Sequence, residues 1–252
     1  MSIQRPSTRI RSTADSCRPT VTALVPVFNE QETLTDVVSV LRATELVDEM
    51  MVVSDGSTDD TVSVAQAVGC KIIHLKENRG KGVAMAVGVA HTDAPILVFV
   101  DGDILNLSEY LLRRLIEPVV EDRTAMNIGV RSRGWLVNTV HRRTGPLLSG
   151  IRCLRREIFE AVPDNYMTGY RIETAMNWTC RRLGRRCSTT VLYGLTHRVK
   201  EKKLGVLEGL RSRQRMFRAV FQAYWSLRLD PPRLRREGSA PAIGTELEYT
   251  NF

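Results

Sequence analysis

Residues 96–112, ILVFVDGDILNLSEYLL, run a buried-type apolar strand straight into Asp101-Gly102-Asp103. Repulsion between like charges and the loss of hydration both oppose two carboxylates at the mouth of a strand. A positive group is therefore expected between them. Working outward, the chain alternates two periodicities on both sides of this point. Strand patterns at 20–27 (TVTALVPV), 49–55 (EMMVVSD), 70–75 (CKIIHL) and 95–101 (PILVFVD) are separated by helical patterns at 30–44, 58–69 and 79–92, and a further one follows at 107–120 with Ser108 as N-cap. Strands alternating with helices predict an α/β fold with a Rossmann-like, doubly wound sheet whose ligand crevice lies at the carboxyl ends of the strands. Those ends carry Asn29-Glu30, Asp55-Gly56-Ser57 and Asp101-Gly102-Asp103.

After residue 122 the pattern loosens. Strands are expected at 125–130 and 186–195, helices at 156–162 and 171–184, and a long amphipathic C-terminal helix at 204–229, basic on its polar side. The organisation expected is a single domain in two halves: a basic disordered tail (1–19), a nucleotide-sugar-binding half (20–122), an acceptor-binding half with the C-terminal helix (123–229) and a flexible tail (230–252). The long helix pairs its basic residues with Phe217, Val220, Phe221, Tyr224 and Trp225. That pattern suits packing on the domain, a homodimer contact, or a peripheral contact with an anionic membrane.

Composition excludes several classes. The 252 residues carry 36 Lys and Arg against 28 Asp and Glu, a net charge of +8 that favours anionic partners. No apolar run is long enough to span a bilayer, and the N-terminus lacks the apolar region of a secretory signal. Cys17, Cys70, Cys153, Cys180 and Cys187 are scattered, odd in number and without CxxC spacing, which predicts reduced thiols in a cytoplasmic compartment, with peripheral attachment at the inner membrane face as the alternative location. Basic strands interleaved with aromatics are missing, so nucleic acid is not the expected partner.

The candidate site is assembled from these strand ends. Asp101 and Asp103, with Gly102 letting the backbone bend, read as a clamp for Mg²⁺ or Mn²⁺ bound together with ligand phosphates. Asp55 could accept from the edge of a base. In NRGKG (78–82), Gly80 and Lys81 open a helix and offer backbone N–H groups and a cation to phosphate. Each motif has a plainer reading: a solvated Asp-Gly turn, a capped helix, or a surface loop.

Taken together and in this order, VPVFNEQETL, VVSDGSTDDT, NRGKGVAMAVGVAHT and FVDGD resemble the family 2 glycosyltransferases and their GT-A-fold relatives, including polyprenyl-phosphate glycosyltransferases and glucosyl- and mannosyl-3-phosphoglycerate synthases. The match is close over about 20–105 and looser through 145–163, 168–187 and 196–205. The resemblance implies a mixed GT-A sheet flanked by helices and a metal-dependent transfer from a nucleotide-diphosphate sugar, UDP favoured over GDP. The acceptor it leaves open is a polyprenyl phosphate or a small phosphorylated molecule. It places Pro26, Phe28, Glu30, Asp55, Gly80, Lys81 and Asp101 on the nucleotide, and Asp101, Asp103 and His197 on the metal. Asp103 and Glu173 are then the catalytic candidates, Glu173 as general base or simply a first-turn carboxylate on the helix dipole. Arg198, Lys200, Lys202 and Lys203 could hold a diphosphate or form a solvated loop. One position departs from the pattern: the usual DDGS is Ser54-Asp55-Gly56-Ser57. Inversion at the anomeric carbon is favoured slightly over retention. The competing readings are a sugar-phosphate nucleotidyltransferase, which lacks its Gly-rich basic loop here, and a non-catalytic basic protein that binds anionic lipid or RNA.

Overall fold

The computed structural model describes residues 18–132, 149–169, 171–197, 218, 220–235 and 249–251. The first half is a run of strand and helix: β1 (Val21–Val27), α1 (Leu34–Ala43), β2 (Glu49–Ser54), α2 (Thr61–Ala67), β3 (Lys71–Leu75), α3 (Lys81–Ala90), β4 (Ile96–Phe99), β5 (Ile104–Leu105) and α4 (Glu109–Val120). The second half adds β6 (Met126–Arg131), β7 (Arg152–Arg155), α5 (Arg156–Glu160), α6 (Arg171–Arg182), β8 (Cys187–Leu192) and β9 (Thr196–His197). A helix over 220–229 (α7) and β10 (Tyr249–Asn251) complete it.

Eight of the described strands form one sheet in the order β10-β3-β2-β1-β4-β7-β6-β8, and β5 and β9 pair separately. Strands β3, β2, β1 and β4 are parallel, β7 runs antiparallel to both β4 and β6, and β6 and β8 are parallel to each other. The parallel strands read as continuous apolar runs because both faces are covered. Leu24, Val53 and Phe99 face a layer made by α3, α5, α6 and α7, whereas Ala23, Val25, Val52 and Val98 face α1, α2 and α4. This alternation along each strand sets up a three-layer core. The sheet is mixed, with helices on both faces, as the GT-A resemblance implies.

Local chemistry explains most boundaries. The Ser108 hydroxyl accepts from the Leu111 N–H (3.4 Å) and starts α4 as expected. Pro118 lies inside that helix and cannot donate to the Arg114 carbonyl. The Asn127 amide (3.3 Å) and the Thr190 hydroxyl (3.4 Å) donate there instead, which ties α4 to β6 and β8. Strand β7 was not anticipated, since IRCLR reads as a loop before a helix.

The chain ends differ from the expected tails. Arg18 lies within 1–19 but makes a two-pronged ion pair with Asp48 (2.9 and 3.0 Å) and so belongs to the fold. The flexible tail expected over 230–252 is corrected at two points: Arg235 bonds Asp164 (2.8 Å), and β10 pairs antiparallel with β3. Tyr249-Thr250-Asn251 closes an edge whose backbone groups would otherwise face water. In α7, Val220, Ala223 and Leu227 are buried while Phe221, Trp225 and Leu229 are exposed. The earlier part of that long helical pattern lies outside the described residues. Among the described residues, no helix is long and apolar enough to cross a membrane.

Candidate active site

Because β2, β1 and β4 are adjacent and parallel, their carboxyl ends meet. Pro26 sits in β1 opposite Val53, Phe28 is exposed just beyond, and Glu30 is buried at the turn into α1. The three turns are bonded to one another. The Asn29 N–H donates to the Ser57 hydroxyl (3.1 Å), the Thr58 N–H donates to Asn29 Oδ1 (2.8 Å), and the Thr33 hydroxyl donates to the Gly102 carbonyl (2.6 Å). Gly102 is also required sterically: a β-carbon there would lie 2.6 Å from Val27.

Asp55 is buried and accepts the backbone N–H groups of Arg79 (2.7 Å) and Gly80 (2.9 Å). Burial pushes its carboxyl above the usual range, and the two N–H donors work against that shift. Gly56 beneath it has φ +69°, and a β-carbon there would meet the backbone of Glu77 and Asn78 at 2.5 Å. Asp55 and Gly56 thus fasten the loop that delivers Gly80 and Lys81. Ser54, where the resemblance expects a carboxylate, donates to Ser57 (2.9 Å) and lies 3.1 Å from His74 Nδ1.

Among the described residues, the cation that meets Asp101 is Lys81, which was expected on the nucleotide. Its Nζ lies 2.5 Å from Asp101 Oδ1 and 2.9 Å from Glu173 Oε1, the latter from the first turn of α6. Burial alone would lower the lysine's pKa, but the two carboxylates outweigh it and hold it above its ordinary value. Glu173 joins a second cation. Arg152 on β7 is fully buried and donates to the Glu173 carbonyl (3.3 Å), Asn177 Oδ1 (3.2 Å) and the Ser149 carbonyl (2.6 Å). Burial pulls its guanidinium below the ordinary value while Glu173 supports the charge. Charges therefore alternate from Asp101 through Lys81 and Glu173 to Arg152.

Gly150 closes this row. A β-carbon there would collide with both Asp101 carboxylate oxygens and Lys81 Nζ. Gly82 is equally restricted, against the Met167 carbonyl. Neither Gly150 nor Arg152 was among the site residues expected from the sequence. A lone cation inside the apolar IRCL was the available signal, since a charge in a buried strand must be paired.

Asp103 follows Gly102, and β5 begins directly after it. The antiparallel pairing of β5 with β9 sets His197 opposite Ile104, next to Asp103. The His197 side chain and Arg198, Lys200, Lys202 and Lys203 lie outside the described residues. Among the described residues, no three His, Cys, Asp or Glu side chains gather closely enough to hold an ion unaided.

The model for "Glycosyl transferase family 2" matches residues 22–179. A glucosyl-3-phosphoglycerate synthase of Mycolicibacterium smegmatis is 32% identical over 110 residues, covering 40% of this chain and 36% of that protein. An undecaprenyl-phosphate 4-deoxy-4-formamido-L-arabinose transferase of Sodalis glossinidius is 30% identical over 166 residues, covering 56% and 51%. This chain thus spans about half or less of the length of these curated relatives. A crystal structure of the Mycobacterium tuberculosis glucosyl-3-phosphoglycerate synthase, in complex with Mn²⁺, UDP-glucose and phosphoglyceric acid, superposes with a TM-score of 0.69 at 25% identity, covering 82% of this chain and 79% of that one. The matched segment contains all three strand-end clusters and the Asp101–Lys81–Glu173 row, so the chain belongs to glycosyl transferase family 2.

Proposed function

We propose that this chain is a metal-dependent glycosyltransferase that moves a sugar from a nucleotide-diphosphate donor, UDP-linked, to a small phosphorylated acceptor. The observation that carries this reading is the meeting of Asp101-Gly102-Asp103 with Lys81 at the carboxyl edge of the parallel strands. Support for UDP and for an acceptor of the phosphoglycerate type comes from the mycobacterial synthase, whose structure contains both.

The residues present suit a divalent ion. Asp101 already binds a cation, and the β5–β9 register brings a histidine position beside Asp103, giving oxygen and imidazole donors of the kind Mg²⁺ and Mn²⁺ accept. In this reading Asp101, Asp103 and His197 hold the ion, which supplies Lewis-acid neutralisation of the departing diphosphate. Lys81 and the N–H groups at the start of α3 bind the diphosphate oxygens, with Asp55 holding their loop. Pro26, Phe28 and Glu30 border the nucleoside. Glu173, whose carboxylate is engaged by Lys81, aims that lysine and is assigned to positioning rather than to proton abstraction. Catalysis then rests on orientation and on charge placed in advance where the leaving group develops its own.

The test is calorimetric titration with UDP and with GDP, each with and without Mn²⁺, on the wild type and Asp103→Ala, followed by product analysis with UDP-glucose and 3-phosphoglycerate. Metal-dependent UDP binding that disappears in the variant supports the reading. Absence of binding of either nucleotide in the wild type refutes it.

A further inference from the structure

Six residues separate Cys180 from Cys187, and nothing in that spacing marks them as a pair. The fold makes them one. Cys180 is buried in the last turns of α6, and Cys187 is the exposed first residue of β8. Between them the helix is closed by the Gly184 N–H on the Arg181 carbonyl (3.0 Å) and the Arg185 N–H on the Cys180 carbonyl (2.9 Å), with Gly184 at φ +66°. The Arg186 carbonyl then accepts from the Ala125 and Met126 N–H groups (3.0 and 3.3 Å), which sets Cys187 opposite Met126 on β6. The chain reverses so tightly that the Cys180 thiol reaches the Arg185 and Arg186 carbonyls (3.6 and 3.9 Å), the second belonging to the residue that precedes Cys187.

We propose that Cys180 and Cys187 form a peroxide-sensitive dithiol, a modification site that closes to an intramolecular disulfide. The two thiols sit at the ends of one tight turn, one exposed to an oxidant and the other buried against the peptide that leads into it, placed as the resolving thiol. Cys187 is the exposed member, so peroxide reaches it first, and Cys180, Arg152 and Arg181 pull its pKa down and favour its thiolate. It attacks one oxygen of hydrogen peroxide and becomes a sulfenic acid, and the other oxygen leaves as hydroxide and is protonated to water. The Cys180 thiol then attacks the sulfenic sulfur, the S–S bond forms, and its proton departs with the hydroxyl as a second water. Two thiols are oxidised and one peroxide is reduced to two waters. Cys70 and Cys153 serve as internal controls, because both are buried and burial raises their pKa.

The test uses the full chain, treated with a few equivalents of hydrogen peroxide, alkylated, and digested with trypsin without reduction. Arg181, Arg182, Arg185 and Arg186 lie between the two cysteines, so trypsin puts them on separate peptides that only a disulfide can join. The expected result is a Cys180–Cys187 linked pair, a loss of about 2 Da in the intact protein, and reversal by dithiothreitol. In Cys180→Ser, Cys187 should accumulate as a sulfenic acid trapped by dimedone and proceed to the sulfinic and sulfonic forms. In Cys187→Ser, Cys180 should stay reduced at the same peroxide dose. The proposal is overturned if all thiols remain free, if Cys187 over-oxidises in the wild type without forming the link, or if either cysteine pairs instead with another thiol.

Discussion

Replacing Lys81 by methionine should make the nucleotide-free protein bind Mn²⁺ more tightly, even though it removes a cation from the proposed donor site. Lys81 Nζ stands 2.5 Å from Asp101, a carboxylate the proposed ion would also use, so an ion and the lysine compete for it. At an effective dielectric of about 20, a contact of that length has a gross attraction of roughly 6–7 kcal/mol. Both side chains are 20% exposed, and solvent screening with the cost of desolvation removes much of it. A net value of about 1.5–3 kcal/mol is reasonable for a charged hydrogen bond, which corresponds to a dissociation constant for Mn²⁺ lowered by about 10- to 150-fold. With UDP present the sign reverses for the nucleotide: the lysine would move onto the diphosphate in the wild type, and its loss should weaken UDP by about tenfold. The coupling between metal and nucleotide should therefore shrink in the variant, and by linkage it must shrink equally from either side. Electron paramagnetic resonance of free Mn²⁺, with and without UDP, measures all four affinities, and circular dichroism checks that the fold persists. A variant that binds Mn²⁺ alone no better than the wild type would refute competition for Asp101, while UDP-dependent Mn²⁺ binding by the wild type would leave the transferase reading standing.

Arg152→Met should destabilise the chain by about 3–5 kcal/mol, since it leaves the Ser149 and Glu173 carbonyls and Asn177 without their buried donor. For a domain of this size that is a fall of about 6–20 °C in the unfolding midpoint by circular dichroism, and a change under about 1 kcal/mol in urea unfolding would show the cation to be replaceable. Gly150→Ala places a methyl group on the Asp101–Lys81 pair; UDP–Mn²⁺ binding should fall by about tenfold or more in calorimetry, and unchanged binding would contradict the assigned geometry. Asp55→Asn isolates the buried carboxylate. Because burial raises the native pKa of Asp55 above 3.8, the native state holds the proton more tightly, so its contribution is largest below 3.8 and is lost as pH rises through the native value. The stability of wild type minus variant should decline over that interval in denaturant titrations at stepped pH, and a rise would reverse the sign argued here.

The first half was legible because its signals are local. Apolar runs of strand length, Gly-stopped helices and Ser108 as a cap each depend on a few neighbouring residues, and parallel strands with both faces covered leave little ambiguity about what is inside. The carboxylates at the strand ends were legible for the same reason, and physics demanded a cation near them. Which cation was not readable, because Lys81, Glu173 and Gly150 come from separate stretches and meet only through the sheet order β1-β4-β7. Strand β7 stayed hidden because it is short and carries a charge at each end, Arg152 and Arg155. The β10 edge strand was equally hidden, since three residues carry no periodicity.

Ser54 shows how the departure from the DDGS pattern is accommodated. A carboxylate at that wholly buried position would stand beside Asp55, itself buried, and two adjacent desolvated charges would each raise the cost of the other. Serine keeps the turn bonded through Ser57 and His74 without the charge, and leaves Asp55 to hold the Arg79–Gly80 backbone. On the other side of Lys81, Asp101, Glu173 and Arg152 continue the same economy of charge, each facing an opposite neighbour. Lys81 and Asp101 come from the first half of the chain, and Arg152 and Glu173 from the second, so the row that neutralises the strand-end carboxylate also ties the two halves together. A strand can end in two carboxylates here because the chain supplies a cation of its own, and a site already built to bind one positive group at Asp101 is suited to exchange it for another.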